Sequence, residues 1–358
     1  MFDGNAAKTA AGLGEDFMAR TKSLLVAVVA TMALAGADKG YAETVLQFNR
    51  WLPPTQFVQT EVLDAWAADV TKATEGRVKI VMTASSLGAP PRQFELVKDG
   101  IADIGWGVQS YTPSRFKTNR AVELPFLSNT AEALSVAFWR AHQEYFSKAN
   151  EYNGTKLLSL HVHPPGHIFT AKSELKSIND VQGLKIRVVN PATEAIAGKL
   201  GIVPISAPST KAYEMLSSGV LDGTFFTDDS IPGFKLTSFI RSKVEFDGGL
   251  YSSAFFLVMN QRKWDALSKQ DQEIVSRLSG EHFSKRMGQI WDKYYLDAKK
   301  GMEAGGVKVL RIEGNAIDGI KEKLKGAEGD WIEEMKKEGV DGAAALALIR
   351  KVVSEYKN

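Results

Sequence analysis

Residues 181–206 read VQGLKIRVVNPATEAIAGKLGIVPIS. Leu184–Val189 is apolar enough for a buried strand. Asn190 can cap a helix, and Pro191 stands at its first position, where a missing N–H costs nothing. Gly201 ends that helix and Ile202–Ser206 reads as the next strand. Strand, capped helix, glycine stop and strand form one βαβ unit, the signature of an α/β protein with mainly parallel sheets covered on both faces.

The same alternation extends in both directions. Upstream, Val45–Asn49 is a strand, and a helix over about 55–74 carries Val58, Val62, Trp66 and Val70 on one face. Strands follow at Arg77–Thr83 and Ile101–Val108, and a helix at 130–148 aligns Leu134, Phe138, Ala141 and Tyr145. Leu157–His163 is a strand that runs into Pro164–Pro165–Gly166. Downstream come a helix at Ser209–Ser218, strands at Val220–Phe226 and Tyr251–Asn260, and one long helical pattern from Ser268 to Met302. No linker separates two domains, so strands must cross between two lobes. The candidates are Leu157–Lys172 and Glu245–Asn260. Such crossings act as hinges, with the ligand cleft between the lobes. The expected lobes are residues 43–163 with 251–290, and 164–250 with 291–358, braced by the long C-terminal helix.

The N-terminus carries a different pattern. Arg20 and Lys22 precede an apolar run from Leu24 to Ala35, and Gly40–Tyr41–Ala42 ends in small residues suited to cleavage. This is the form of a secretory signal cleaved near Ala42. The acidic residues Asp3, Glu15 and Asp16 favour Met18 as the start of translation. Residues 1–42 hold four basic and four acidic residues, so the expected mature protein keeps the net charge of +2. A charge so small excludes a nucleic-acid groove, which needs a concentrated basic field. The absence of cysteine excludes disulfides, thiolate catalysis and cysteine-held metals.

No phosphate loop, dinucleotide fingerprint, nucleophile elbow or His-Glu-x-x-His is present. His161, His163 and His167 cluster, and the first two share one side of a strand. They offer a metal-dependent hydrolase site, or ordinary polar residues at a cleft mouth; no nearby carboxylate completes a metal site. Arg187 sits within an apolar strand, where its charge demands a partner. That partner is either a ligand carboxylate held bidentately or a protein carboxylate such as Asp228 or Asp229. Trp51, Trp106, Gln109, Tyr111 and Phe226 lie at or near strand ends, where aromatic side chains line either a cleft or the core. Asp228 suits a cation site or a turn, and Asn190 a helix cap or a ligand contact.

An ordered set of phrases narrows these choices: Gly76–Arg77–Val78–Lys79–Ile80, Ser86–Leu87–Gly88, Val97–Lys98–Asp99–Gly100–Ile101–Ala102–Asp103–Ile104–Gly105, Glu123–Leu124–Pro125–Phe126, Val181–Gln182–Gly183–Leu184–Lys185–Ile186–Arg187, Gly219–Val220–Leu221–Asp222–Gly223 and Val258–Met259–Asn260. In this order and spacing the chain resembles the extracytoplasmic solute-binding proteins of tripartite ATP-independent periplasmic (TRAP) transporters, the C4-dicarboxylate-binding (DctP) family. The resemblance implies a periplasmic, monomeric receptor without cofactor or catalysis. Its two lobes would close on a small organic carboxylate and deliver it to TRAP permease subunits in the membrane. It also places Arg187 on the family's carboxylate-binding arginine. His167 stands where many relatives have a second arginine, and Phe226 where many have asparagine. Fewer polar and more aromatic groups point to a monocarboxylate with an apolar or aromatic body, stacked against Trp51, Trp106 or Phe226. The competing readings are the histidine-based hydrolase and the binding protein of an ATP-driven transporter.

Overall fold

The computed structural model describes residues 43–356. The expected signal sequence and its cleavage site lie outside the described residues. Two sheets organise the described chain. The first has five strands: β1 (Thr44–Asn49), β2 (Val78–Met82), β3 (Ile104–Val108), β4 (Thr155–Val162) and β10 (Ala254–Asn260), in the order β2-β1-β3-β10-β4. The second has six: β5 (His167–Thr170), β6 (Lys185–Val188), β7 (Val203–Ser206), β8 (Gly223–Phe226), β9 (Ser242–Phe246) and β11 (Lys308–Ile312), in the order β11-β9-β5-β8-β6-β7.

Both sheets are parallel except for one strand each. In the first, β10 runs antiparallel to β3 and β4. In the second, β5 runs antiparallel to β8 and β9. These reversed strands are where the chain changes sheet. From β4 the chain runs through residues 163–166 into β5, and from β9 through 247–253 back into β10. The two crossings lie side by side. Gly166 N–H donates to Tyr251 O at 2.9 Å, and Leu250 N–H donates to Gly166 O at 2.9 Å. Both fall within the segments expected to act as hinges.

The opening βαβ unit forms as its residues predict. Asn190 Oδ1 caps the helix Pro191–Lys199 by accepting from Thr193 N–H at 2.8 Å. The long pattern from 268 to 302 does not form one helix. It splits into Lys269–Leu278 and Gly280–Ala304, because Gly280 takes a positive φ of 56° beside the Trp139 ring. The longer piece still spans both lobes. Phe283, Met287 and Trp291 pack in the core of the first sheet, and Met302 packs with Phe169 and Ile231 of the second. Residues 327–355, expected with the second lobe, pack elsewhere. Trp331, Met335, Leu346 and Ile349 join Phe94, Phe138 and Phe256 in the core of the first. Their apolar faces follow the three-to-four-residue spacing that buries one stripe of a helix.

Gly166 is the tightest point of the double crossing: a Cβ there would stand 2.2 Å from the Tyr251 ring. Gly166→Ala is expected to destabilise the protein by about 1–3 kcal/mol through overpacking. Urea denaturation checks this through a lower midpoint at unchanged slope. An unchanged midpoint would mean that the crossing strands tolerate separation.

Candidate functional site

Where the crossings pass between the sheets they border a narrow cavity of about 60 Å³. The first sheet contributes Trp51, Trp106, Tyr111 and Phe255 to its wall, and the second contributes Arg187, Ser209, Phe226 and Asp229. His163, Tyr251 and Ser253 come from the crossing segments, and Trp291 from the long helix.

The aromatic side is tightly ordered. Trp51 stacks on Trp106 at 5.4 Å, and Trp106 on Phe255 at 4.8 Å. Trp51 Nε1–H donates to Trp106 O at 2.8 Å, so the outer indole is pinned to the strand beneath it. Trp106 Nε1–H donates to His161 Nε2 at 2.8 Å. That histidine therefore carries its proton on Nδ1, and burial pushes its pKa down to about 3. His161 is thus a neutral support behind the wall.

Opposite stands Arg187, on the second sheet and 1% exposed. Two of its five N–H groups are taken by backbone: Nε–H donates to Ala207 O at 2.9 Å and Nη1–H to Phe225 O at 3.0 Å. The guanidinium lies 4.5 Å from the Phe226 ring centroid, and Phe226 stacks on Phe234 at 5.4 Å. Among the described residues no carboxylate pairs with Arg187. Burial lowers its pKa from the ordinary arginine value, and the Tyr111 hydroxyl partly opposes that shift. Tyr111, from the first sheet, also reaches Ser209 of the second: Ser209 N–H donates to the Tyr111 hydroxyl at 3.0 Å. Gln56 Nε2–H donates across the same divide to Gly233 O at 2.7 Å. The cleft is therefore closed by direct bonds between lobes.

Of the residues expected at the ligand, Arg187, Trp51, Trp106, Tyr111 and Phe226 meet in this one wall. Four others do not. His167 lies behind the second sheet, where its Nδ1 accepts from Phe246 N–H at 3.3 Å and its Nε2–H donates to the Tyr295 hydroxyl at 2.9 Å. Burial, with Lys243 and Lys299 nearby, holds its pKa well below the ordinary histidine value, so it supplies no charge to a solute. Gln109 is turned inward, donating to Phe255 O at 3.1 Å. Asp228 meets neither Arg187 nor the cavity. Both of its oxygens bind Lys243 Nζ, at 2.8 and 2.7 Å, and Lys243 also holds Glu245. Among the described residues no group of three His, Cys, Asp or Glu side chains could hold a metal ion.

Asn190 borders a second, larger cleft between the lobes, of about 360 Å³. Besides capping its helix it donates from Nδ2 to Glu123 Oε2 at 3.3 Å. Glu123 Oε1 accepts from Ala254 N–H at 3.0 Å, at the start of β10. His163, Ser209, Asp229, Tyr251, Ser253 and Trp291 were not singled out by sequence as ligand contacts. The available signals were the histidine cluster at the cleft mouth for His163, and for Asp229 its place three residues after Phe226 and its candidacy as a partner of Arg187.

Residues 48–333 match the family described as bacterial extracellular solute-binding protein, family 7. A crystal structure of a TRAP periplasmic solute-binding protein from Bordetella bronchiseptica, with bound (R)- and (S)-mandelate, is 38% identical with a TM-score of 0.84. The match covers 87% of this chain and 99% of that one. A marine-metagenome TRAP solute-binding protein specific for aromatic acid ligands, in complex with metahydroxyphenylacetate, is 30% identical with a TM-score of 0.82, covering 88% and 100%. The protein described as outer membrane transporter protein TsaT of Comamonas testosteroni is 29% identical over 92% of this chain and 97% of its own length. The chain belongs to the family 7 solute-binding proteins, and it works as the extracytoplasmic receptor of a TRAP transporter. The family is one of binding receptors rather than enzymes, and no helix of the described residues is long and apolar enough to cross a membrane. The C4-dicarboxylate label is only approximate, since these solved relatives hold aromatic acids.

Burial raises the Glu123 pKa to about 7, against the Ala254 N–H bond that lowers it. A carboxyl whose folded pKa lies above its unfolded value binds more protons when folded. Its contribution is present at low pH and is lost as pH rises through 7. Glu123→Gln does not titrate. Its stability relative to the parent is therefore expected to improve by about 2–3 kcal/mol between pH 5 and pH 8. Paired urea titrations at the two values read this difference, and parallel changes in both proteins would exclude a buried, shifted Glu123.

Proposed function

We propose that this receptor captures a small monocarboxylate with an aromatic or apolar body. The observation that carries the reading is the buried Arg187, without a protein carboxylate, facing a stacked aromatic wall across a narrow cavity. A guanidinium in a dry setting is costly unless an anion completes it. The backbone bonds to Ala207 and Phe225 fix the fork, so little ordering remains when a carboxylate arrives. The Trp51–Trp106–Phe255 stack offers flat apolar area to a ring.

Binding then follows from three physical terms. The carboxylate pairs with Arg187 by charge-assisted bonds. The solute body replaces water on the aromatic wall. Closure through Tyr111 and Gln56 lowers the local dielectric and strengthens the ion pair. No covalent bond changes. The aromatic acids held by the Bordetella and metagenome relatives support this class. Among the residues described in the cavity wall Arg187 is the one lysine or arginine, and His167 lies away from it, so a second carboxylate finds no second cation there. Cleavage near Ala42 would release the receptor to the periplasm, where the TRAP permease takes the solute.

Thermal denaturation of the purified protein with a panel of carboxylic acids tests the proposal. A ligand that binds only the folded state at a hundred times its Kd adds about 2.7 kcal/mol of stability, a shift of several degrees. The expected result is stabilisation by aromatic monocarboxylates. Arg187→Ala should weaken binding by about 2–5 kcal/mol, the cost of truncating one partner of a buried charge pair. Stabilisation by C4 dicarboxylates alone, or an undiminished response in Arg187→Ala, would overturn the assignment.

A further inference from the structure

Two atoms in the wall of this cavity have no partner among the described residues. Asp229 Oδ1 and Ser253 Oγ are buried without a hydrogen bond, and both residues line the cavity. Asp229 is 6% exposed. Its Oδ2 accepts from Trp291 Nε1–H at 2.9 Å, so the long helix fixes the carboxyl and leaves the other oxygen unoccupied. The contrast with its neighbour is sharp, since Asp228 has both oxygens on Lys243. Among the described residues Asp229 pairs with no cation. Burial pushes its carboxyl up to about 7, with the Thr227 hydroxyl and the Trp291 N–H holding it down in part.

A buried polar atom left unsatisfied is destabilising, and its presence in a binding wall asks for a group on the solute. With Asp229 ionised, the two orphans together offer one acceptor and one hydroxyl donor. A hydroxyl group is the natural complement, since it gives one proton and accepts another. An ammonium brings three donors and no acceptor, and it would leave both an N–H and the Ser253 proton without partners.

We propose that Asp229 is a specificity-determining residue that accepts a hydrogen bond from a hydroxyl on the solute, so that the preferred class is hydroxylated aromatic monocarboxylates. This inference rests on the carboxylate reading of the same cavity. It assigns the end of the solute that Arg187 does not hold. Sites built to bond a hydroxyl discriminate strongly against the analogue that lacks it, because their own polar groups are then stranded.

Isothermal titration of the full chain with matched pairs is the test: phenylacetate against mandelate and 3-hydroxyphenylacetate, and benzoate against 3-hydroxybenzoate. At least one hydroxylated acid is expected to bind about tenfold or more tightly than its parent. In Asp229→Leu that ratio should fall to about one. Asp229→Asn keeps the shape and an acceptor for Trp291, and it serves if the leucine variant does not fold. There the ratio should drop at least about threefold, because the amide N–H replaces the acceptor. Equal affinities in every pair, a ratio retained in the variants, or tighter binding of 2-phenylglycine than of mandelate would each overturn the role of Asp229 and leave the carboxylate reading standing. Failure of every monocarboxylate to bind would overturn both.

Discussion

A cation held out of water without a protein anion is the constraint around which this molecule is arranged. Arg187 is nearly fully buried, and its strand neighbours are apolar. Among the described residues no direct ion pair recovers the Coulomb energy: Asp228 is neutralised by Lys243, and Asp229, in the cavity wall, bonds Trp291 rather than Arg187. What holds the guanidinium is weaker and more directional: two backbone carbonyls, the face of Phe226 and the Tyr111 hydroxyl. These orient the fork while leaving its charge available, and the aromatic stack opposite keeps the intervening space poor in competing dipoles. The same logic accounts for the neutral histidines. A charged His163 beside Arg187 would repel it, and burial with the nearby arginine lowers the His163 pKa to about 4.

The architecture places that charge between the two sheets. Each sheet donates one reversed strand, and the reversals mark the paired crossings, so the cavity sits at the crossings between the lobes rather than on either one. The long helix Gly280–Ala304 lies across both and supplies Trp291 at the cavity. A solute that touches Trp106, Arg187 and Trp291 at once therefore reports the relative position of all three parts.

Much of this was legible in the residues, and the failures have physical causes. The βαβ reading of 181–206 and the importance of Arg187 followed from patterning and from the cost of a charge in an apolar strand. The aromatic residues near strand ends were found because wall and core make the same demand for large flat side chains. His167, Gln109 and Asn190 lie away from the small cavity, since strand-end position does not say which side of the sheet a side chain takes. His167 lies on the far side of β5, toward Tyr295. The strand β9 carries Ser242 and Lys243, both buried, and so lacked the alternation that announces a strand. Lys243 is tolerated there because Glu245, two residues on in the same strand, and Asp228, from beyond β8, both meet it. The break at Gly280 escaped notice because the apolar stripe continues on both sides of it. The packing of the C-terminal helices on the first lobe has no local signature, because their partners, Phe94 and Phe138, stand far upstream in the chain.

The interleaving of the strands also dictates an order of assembly. In the first sheet β10 lies between β3 and β4, so their facing edges stay unpaired until residue 260 has been made. The core of that lobe is finished only when Trp331 and Ile349 return to it from the end of the chain. Long-range pairings of this kind are slow to form, since loop entropy is lost before any contact repays it. A nascent chain lacking its C-terminal hundred residues is thus left with open strand edges and an unfinished apolar face. Such a polypeptide is expected to complete its fold only late in synthesis, and a chain that has not yet folded is one that can be threaded through a membrane.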